Sequence, residues 1–459
     1  MSVASSSLCP APLLHRTLAT LGAWTRIPSH AGNEPAMQAM ASSLTQFLSN
    51  TLGARIIANG TGATSGVIHA VIDRGADVTL LLYNMYDVMP ATPETWLVPP
   101  FEGGLVSLPD KGECFVGRGA ENNKGPLAGM LEALSHLLRE NRLNANIEII
   151  LDGEEETGSE SLRRYMAGNP LLFHADASLF PSFCEYGGGP PRMYLGCKGM
   201  VRGQVAVRGG DWGGPERPIH SSNSPWIANP AWRLLHALEA LSQDDMGTVL
   251  PPLPLDAEAT AQVHTLAQTF NLAAELKFRA TRRYGVCGTT ADHLAIMLGG
   301  TACNLSAITA GHPSQPAVIP PHACATFDLR FPPDIKTDDI VSVFQKKLDD
   351  CTMQGLELSI TSICPGFRVS GQTAPARALE ACYTQAGYTP QIWPWAPGTM
   401  PGALFSTNGP GLLIGGLGYG GNAHAANEFV TLTGLQNFLG FLLKWLPATA
   451  EQCRTQKYA

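Results

Sequence analysis

The chain has 459 residues, a formal net charge of −8 and 44% hydrophobic residues. That length suits two domains, and the apolar content is ordinary for a globular protein that buries a sizeable core. The negative balance and the lack of any basic block argue against a nucleic-acid surface, and no stretch approaches the roughly 20 apolar residues of a membrane span.

The N-terminal MSVASSSLCPAPLLHRTL has no basic n-region and no long apolar core, so no secretory signal is expected. Eleven cysteines, odd in number and without a C-x-x-C pair, read as neither a disulfide framework nor a zinc ribbon. They suggest a reducing compartment, and the cytoplasm is the expected location. Residues 12–53 read as helical with a break at Ile27-Pro28-Ser29, and Met37, Met40, Leu44 and Leu48 share one face. VTLLLY, from Val78 to Tyr83, reads as a buried strand followed by NMYDVMP. GRGAENNKGPLAGMLEAL, residues 117–134, opens a helix buried through Leu127, Met130, Leu131, Leu134 and Leu138. Ile147 to Leu151 is a second buried strand, rich in β-branched residues. Gly153 ends it, Glu154, Glu155 and Glu156 follow, and Thr157-Gly158-Ser159 opens a helix containing Leu162 and Tyr165. Acids at the carboxyl end of a buried strand sit where α/β sheets hold ligands. Three adjacent carboxylates repel one another unless a cation or a proton relieves them.

Beyond Gly199 the pattern shifts. VRGQVAVRGG reads as the first strand of an insertion that runs to about Gly371, with sheet-like stretches near 302–309, 323–331 and 356–362. Helices are expected over 229–242 and 336–350. The chain then returns to the first domain, where an apolar strand from Leu412 to Ile414 precedes GGNAHAANE, and Asn427-Glu428 is expected to start the last helix.

EEETGS, after a strand and a glycine, resembles the EExGS signature of a family of metal-dependent exopeptidases and amidohydrolases. That family includes carnosinases, aminoacylases, glutamate carboxypeptidases and succinyl-diaminopimelate desuccinylases. The resemblance implies that Glu155 is the general base and Glu156 a metal ligand. NMYDVMP resembles the family's H-x-D-V-x-P, with Asp87 as the orienting acid and Met85 where the family has a histidine ligand. GRGAENNKG resembles GRGxxDxKG, with Asn122 in place of the aspartate that bridges two metals; Lys124 and Gly125 fit helix-start chemistry or a direct role equally. For the fourth ligand, spacing back from Gly196-Cys197-Lys198-Gly199 points near Ser182, whereas chemistry points to Glu185, which is the expected ligand. PIHSSNSPWIANPAW resembles the stretch carrying the family's oxyanion-stabilising histidine, here His220. Asn304 in CNLSAI and Arg330 in FDLR sit like residues that bind a substrate carboxylate. WPWAPGTMP resembles a GGTxP loop near the substrate, which marks Thr399; Trp393 and Trp395 suit an aromatic pocket or a plain core role. GGNAHAANE resembles H-x-x-N-E, making His424 a metal ligand.

The implied fold is an α/β catalytic domain, a mixed sheet flanked by helices, interrupted by an α+β lid and dimerisation domain. The expected boundaries are 1–199 and 372–459 for the catalytic domain and 200–371 for the lid. The expected function is metal-dependent hydrolysis of an amide or peptide C–N bond in a small carboxylate-bearing substrate. A thioether at 85 is a soft ligand and a neutral amide at 122 cannot bridge two dications. One dication balances Glu156 and Glu185, so one divalent metal per chain, manganese or zinc, is expected on Glu156, Glu185 and His424, with Asn122 as a weak or water-mediated contact. Expected partners are the small-molecule substrate and a second copy, as a homodimer or higher homo-oligomer, with no nucleic acid and no membrane. Two alternatives stay open: hydrolytic deamination of an activated aromatic amino acid, as by a nitroanthranilate-type aminohydrolase, and a catalytically lapsed binding protein.

Overall fold

The apolar run at 147–151 forms the strand Asn146–Asp152, which lies inside an eight-stranded mixed sheet of a computed structural model. The model describes residues 9–458 apart from 170–173, 243, 313, 315 and 408. This strand runs parallel to Thr79–Met85, in a register that sets Met85 opposite Asp152. Ala177–Pro181 pairs in parallel with Thr79–Met85 on its other side, and Leu412–Gly415 continues the parallel run. Both faces of these strands are covered, which is why they read as continuous apolar segments rather than alternating ones. Val67–Ile72 and Arg55–Asn59 extend the sheet antiparallel beyond Asn146–Asp152. Because Thr79–Met85 and Asn146–Asp152 end side by side, the residues that follow them emerge at one edge, the position where open α/β sheets place ligands.

Helices Ala11–Thr25, Lys124–Arg139, Ala374–Gln385 and Leu432–Tyr458 pack beside this sheet in one apolar cluster that includes Leu13, Leu21, Leu127, Leu131, Leu379, Phe438 and Leu439. A small four-stranded sheet joins Gly104–Leu108, Gly112–Val116, Phe429–Thr431 and Gly420–Gly421. Asn427-Glu428 therefore does not start the last helix. Phe429–Thr431, aromatic and β-branched, pairs with Cys114 to Val116, and the helix begins at Leu432.

The chain divides into two units: Met1–Gly196, Arg368–Trp393 and Pro401–Ala459 form the first, Cys197–Phe367 and Pro394–Met400 the second. The second unit is built on a five-stranded antiparallel sheet ordered Thr248–Leu250, Thr301–Ala310, His322–Phe331, Gly199–Arg208, Leu356–Cys364. His322–Phe331 alternates buried and less buried positions along its length, as a strand with one covered face must. Helices Pro230–Leu241 and Thr337–Asp350 supply the cover, with Leu234, Leu238, Ile340 and Phe344 packed against Val205, Phe327 and Leu329. The mixed α/β sheet and the inserted α+β unit match the architecture expected from the sequence. No helix among the described residues is long and apolar enough to cross a membrane, and the eleven cysteines are all free thiols.

Candidate active site

The turn carrying the glutamates begins where Asn146–Asp152 ends. Gly153 lies against Tyr86, where a Cβ would come within 2.3 Å of a ring carbon, so no side chain fits. Glu155–Thr157 makes one 3-10 turn, closed by Gly158 at φ 110°. Asp87 holds this turn: its carboxylate accepts the backbone N–H of Glu155 (3.2 Å) and of Glu156 (3.0 Å). Burial, with Asp152 nearby, pushes the Asp87 carboxyl well above the usual carboxylate range, against the pull of those two N–H donors. Asp87 is thus a positioning residue for the two glutamates. The role expected from the motif, orienting a ligand at position 85, lapses because Met85 has no ring to orient. Asp152, absent from the sequence candidates, accepts the Glu154 N–H (2.9 Å) and the Tyr83 hydroxyl (3.3 Å), and burial pushes it up to about 6.

Glu428 organises the opposite wall. Fully buried, it pairs with Arg118 (2.7 Å) and accepts the backbone N–H groups of Gly119 (2.9 Å), Glu121 (2.9 Å) and Asn122 (2.7 Å). The loop 117–122 therefore takes its shape from a residue about 300 positions later, brought there by the pairing of Val116 with Phe429. Removing one partner of a buried pair leaves an uncompensated charge. Glu428→Ala is expected to destabilise the protein by ~3–5 kcal/mol, read from denaturant unfolding; an unchanged midpoint would contradict this role. Lys124 belongs to the scaffold: its buried Nζ donates to the carbonyls of Trp24 (2.9 Å) and Ile27 (2.6 Å), and burial lowers its pKa to about 7.

Between these walls three side chains converge. Asn122 Nδ2 lies 2.8 Å from Glu156 Oε1 and 3.0 Å from His424 Nε2, and His424 Nε2 lies 2.9 Å from Glu156 Oε1. Hydrogen bonds cannot satisfy all three edges. If His424 donates to Glu156, it faces Asn122 as donor to donor; if it accepts from Asn122, it faces Glu156 as acceptor to acceptor. The hydrogen bond to Glu156 raises the His424 pKa above the usual imidazole value, and burial offsets part of that. With the Asn122 amide turned to present its oxygen, the triangle offers one nitrogen and two oxygens. That is a donor set suited to zinc or manganese and the three protein ligands of a catalytic site. These residues fit one dication.

Glu185, the expected further ligand, is not in this triangle. Its carboxylate accepts the N–H of Gly418 (2.6 Å) while its own N–H donates to the Gly418 carbonyl (3.0 Å), so it ties two backbone segments together. Burial raises its pKa, and the Gly418 N–H offsets part of that. Among the described residues no three His, Cys, Asp or Glu side chains converge to hold a metal ion. Met85 stays buried at its strand end and supplies no nitrogen or oxygen. Glu121, another acid outside the sequence candidates, is pushed up to about 8 by burial and by the charges of Glu428 and Glu156.

The second unit gathers the expected substrate-binding residues. Asn304 pairs with Asp328, and Ala302 with Arg330, across adjacent strands. Residues two apart share a face, so Asn304, Asp328 and Arg330 stand together. Asp328 accepts from Asn304 Nδ2 (2.8 Å) and Arg330 Nε (3.2 Å), and Arg330 Nη1 donates to Thr399 Oγ1 (3.1 Å). Asp328 was not among the candidates, nor was Lys198, which shares their cleft of about 720 Å³. Lys198 Nζ donates to the Gly300 carbonyl (2.6 Å), and burial with the Arg330 charge lowers its pKa to about 8. His220 is exposed; its Nδ1 accepts the Ser222 N–H (3.2 Å), which leaves the proton on Nε2. Trp393 and Trp395 are buried, and Trp395 Nε1 donates to the Leu298 carbonyl, so both take the core role rather than lining an aromatic pocket.

The sequence profile of peptidase family M20/M25/M40 matches residues 81–447. Over 321 residues the chain is 25% identical to a cysteinylglycine-S-conjugate dipeptidase of Corynebacterium striatum, covering 67% of this chain and 66% of that protein. It is 26% identical over 289 residues to a Cys-Gly metallodipeptidase of Candida albicans, covering 61% and 56%. The matches thus span less than two thirds of these relatives' length. An M20 family metallo-carboxypeptidase of Sulfolobus solfataricus superposes with a TM-score of 0.84 at 25% identity, over 95% of this chain and 99% of that one. The dipeptidase Dug1p of Saccharomyces cerevisiae shares the fold, with a TM-score of 0.76 at 19% identity over 98% and 99%. The chain belongs to peptidase family M20/M25/M40, a family of metal-dependent hydrolases acting on peptide C–N bonds.

Proposed function

We propose that the protein hydrolyses an amide or peptide C–N bond in a small carboxylate-bearing substrate, with one divalent metal per chain, manganese or zinc, on Glu156, His424 and Asn122. The observation that carries this reading is the triangle of these three side chains, one residue from Glu155 on a turn pinned by Asp87. When bound, such a cation supplies Lewis acidity, drawing the pKa of a coordinated water from ~15.7 toward ~7. Glu155 accepts the proton from the attacking water and returns it to the leaving nitrogen, a contribution of roughly two to four orders of magnitude. Asp87 keeps Glu155 and Glu156 in fixed relation through their backbone. His220 donates from Nε2 to the developing oxyanion, acting across a homodimer formed through the second unit. The cytoplasm is the proposed location. The deaminase alternative drew on the altered ligand positions Met85 and Asn122 and on nearby tryptophans; Trp393 and Trp395 are buried, which weakens the second of these grounds.

Arg330 binds the substrate carboxylate, with Asn304 and Thr399 beside it. Its planar fork suits a carboxylate, and Asp328 and Thr399 hold the guanidinium in place. Three of the relatives named above are dipeptidases by name and the fourth is a carboxypeptidase, and a dipeptide is a small substrate with a free carboxylate. Arg330→Lys keeps the charge and loses the fork. It is expected to lower kcat/KM for acid substrates by ~10-fold or more, the ~1.5–3 kcal/mol scale of a charged hydrogen bond, and to change turnover of the corresponding amides far less. Equal losses on acids and amides would sink the carboxylate role.

A further inference from the structure

The cleft holding Asn304 and Arg330 does not end at its polar residues. Met246 and Met297 line it, and the same two methionines line a second pocket of about 230 Å³ in the same unit. The wall of that pocket is apolar: Phe270, Leu272, Tyr284, Leu294 and Ile296 complete it. Its polar groups are already engaged. The Tyr284 hydroxyl donates to the Leu272 carbonyl (2.9 Å), the ring nitrogens of His293 face the carbonyls of Thr289 (2.9 Å) and Val286 (3.1 Å), and Glu275 pairs with Arg279 (3.1 Å). Met246 lies directly over Gly285, where a Cβ would come within 2.3 Å of its sulfur, so its thioether forms the partition between the two spaces. Methionine is the residue best able to adjust such a partition to the shape of a ligand. The volume falls below the ~300–1,000 Å³ of pockets that enclose a whole drug-sized ligand, and suits one side chain.

We propose that this pocket selects the side chain on the carboxylate-bearing residue of the substrate, and that it takes an aromatic or branched apolar one. The inference rests on the reading that Arg330 holds the substrate carboxylate. A largely apolar pocket that shares Met246 and Met297 with the arginine cleft offers a ligand one charge anchor and, with the thioether moved aside, one desolvated surface.

Calorimetric titration of the full-length protein in a Glu155→Gln background, which lacks the proposed base, with N-acetyl-glycine and N-acetyl-phenylalanine tests this without turnover. The phenylalanine derivative is expected to bind at least ~10-fold more tightly, the low end of what a single methylene earns in an apolar pocket. Ile296→Glu and, at the half-exposed partition, Met246→Glu should bring the ratio of the two affinities close to one, with thermal unfolding reporting whether each variant is folded. Equal binding of both acids by the Glu155→Gln protein with its pocket intact, abolished by Arg330→Ala, would overturn the pocket's role and leave the carboxylate site standing. A preference that survives in both folded pocket variants would also overturn it. Binding of neither acid, or binding indifferent to Arg330→Ala, would overturn the carboxylate reading and this inference with it.

Discussion

Glu155→Gln is expected to lower kcat by ~10²–10⁴-fold, the range a positioned acid–base group contributes, while metal content and stability stay near those of the unmodified protein. The substitution is isosteric and takes away only the ability to accept a proton. The turn survives it, because Asp87 grips the backbone N–H groups of Glu155 and Glu156, not their side chains. A variant that retains its metal and loses less than ~10-fold in kcat would remove Glu155 from the base role.

The second large effect is expected at His424. This residue supplies the only imidazole of the triangle and sits at φ 62°, a left-handed conformation that asparagine tolerates better than most residues. His424→Asn therefore keeps the loop and exchanges a nitrogen ligand for a neutral amide. Even a residue supporting a ligand typically changes metal affinity ~10–100-fold when replaced, so loss of the ligand itself should reach at least that range, with activity lost in parallel. Competition against a chromogenic chelator measures it. Unchanged affinity in a folded variant would show that the metal, if bound, lies elsewhere.

Much of the fold was legible because burial leaves a local signature. Ile147 to Leu151 and Val78 to Tyr83 read as strands from their apolar runs, and the strands and helices expected near 302–309, 323–331, 356–362, 229–242 and 336–350 lie within a few residues of those observed. Asn304 and Arg330, named from two separate motifs, meet at Asp328, and Thr399, named from a third, accepts from Arg330. What escaped the sequence depends on long-range pairing. Nothing near Glu428 announces that it will hold the loop 117–122. The strand Phe429–Thr431 forms only because Gly112–Val116 is there to receive it. Glu185 is the one acid in its segment after Asp176, and only the fold shows that its carboxylate accepts the Gly418 N–H. Residues Pro394–Met400, given to the first domain by position, belong to the second unit, which is how Thr399 reaches Arg330. Lys198 passed as part of a turn motif, since its proximity to Arg330 emerges only across the sheet.

The central claim, hydrolysis supported by a single metal on Glu156, His424 and Asn122, is tested most directly by metal analysis of the active protein purified without chelator. The account predicts one equivalent of a divalent metal per chain, with activity lost on its removal and restored on its return. Two equivalents per chain in the active enzyme would contradict the single-metal site, and full activity after complete metal removal would contradict the mechanism.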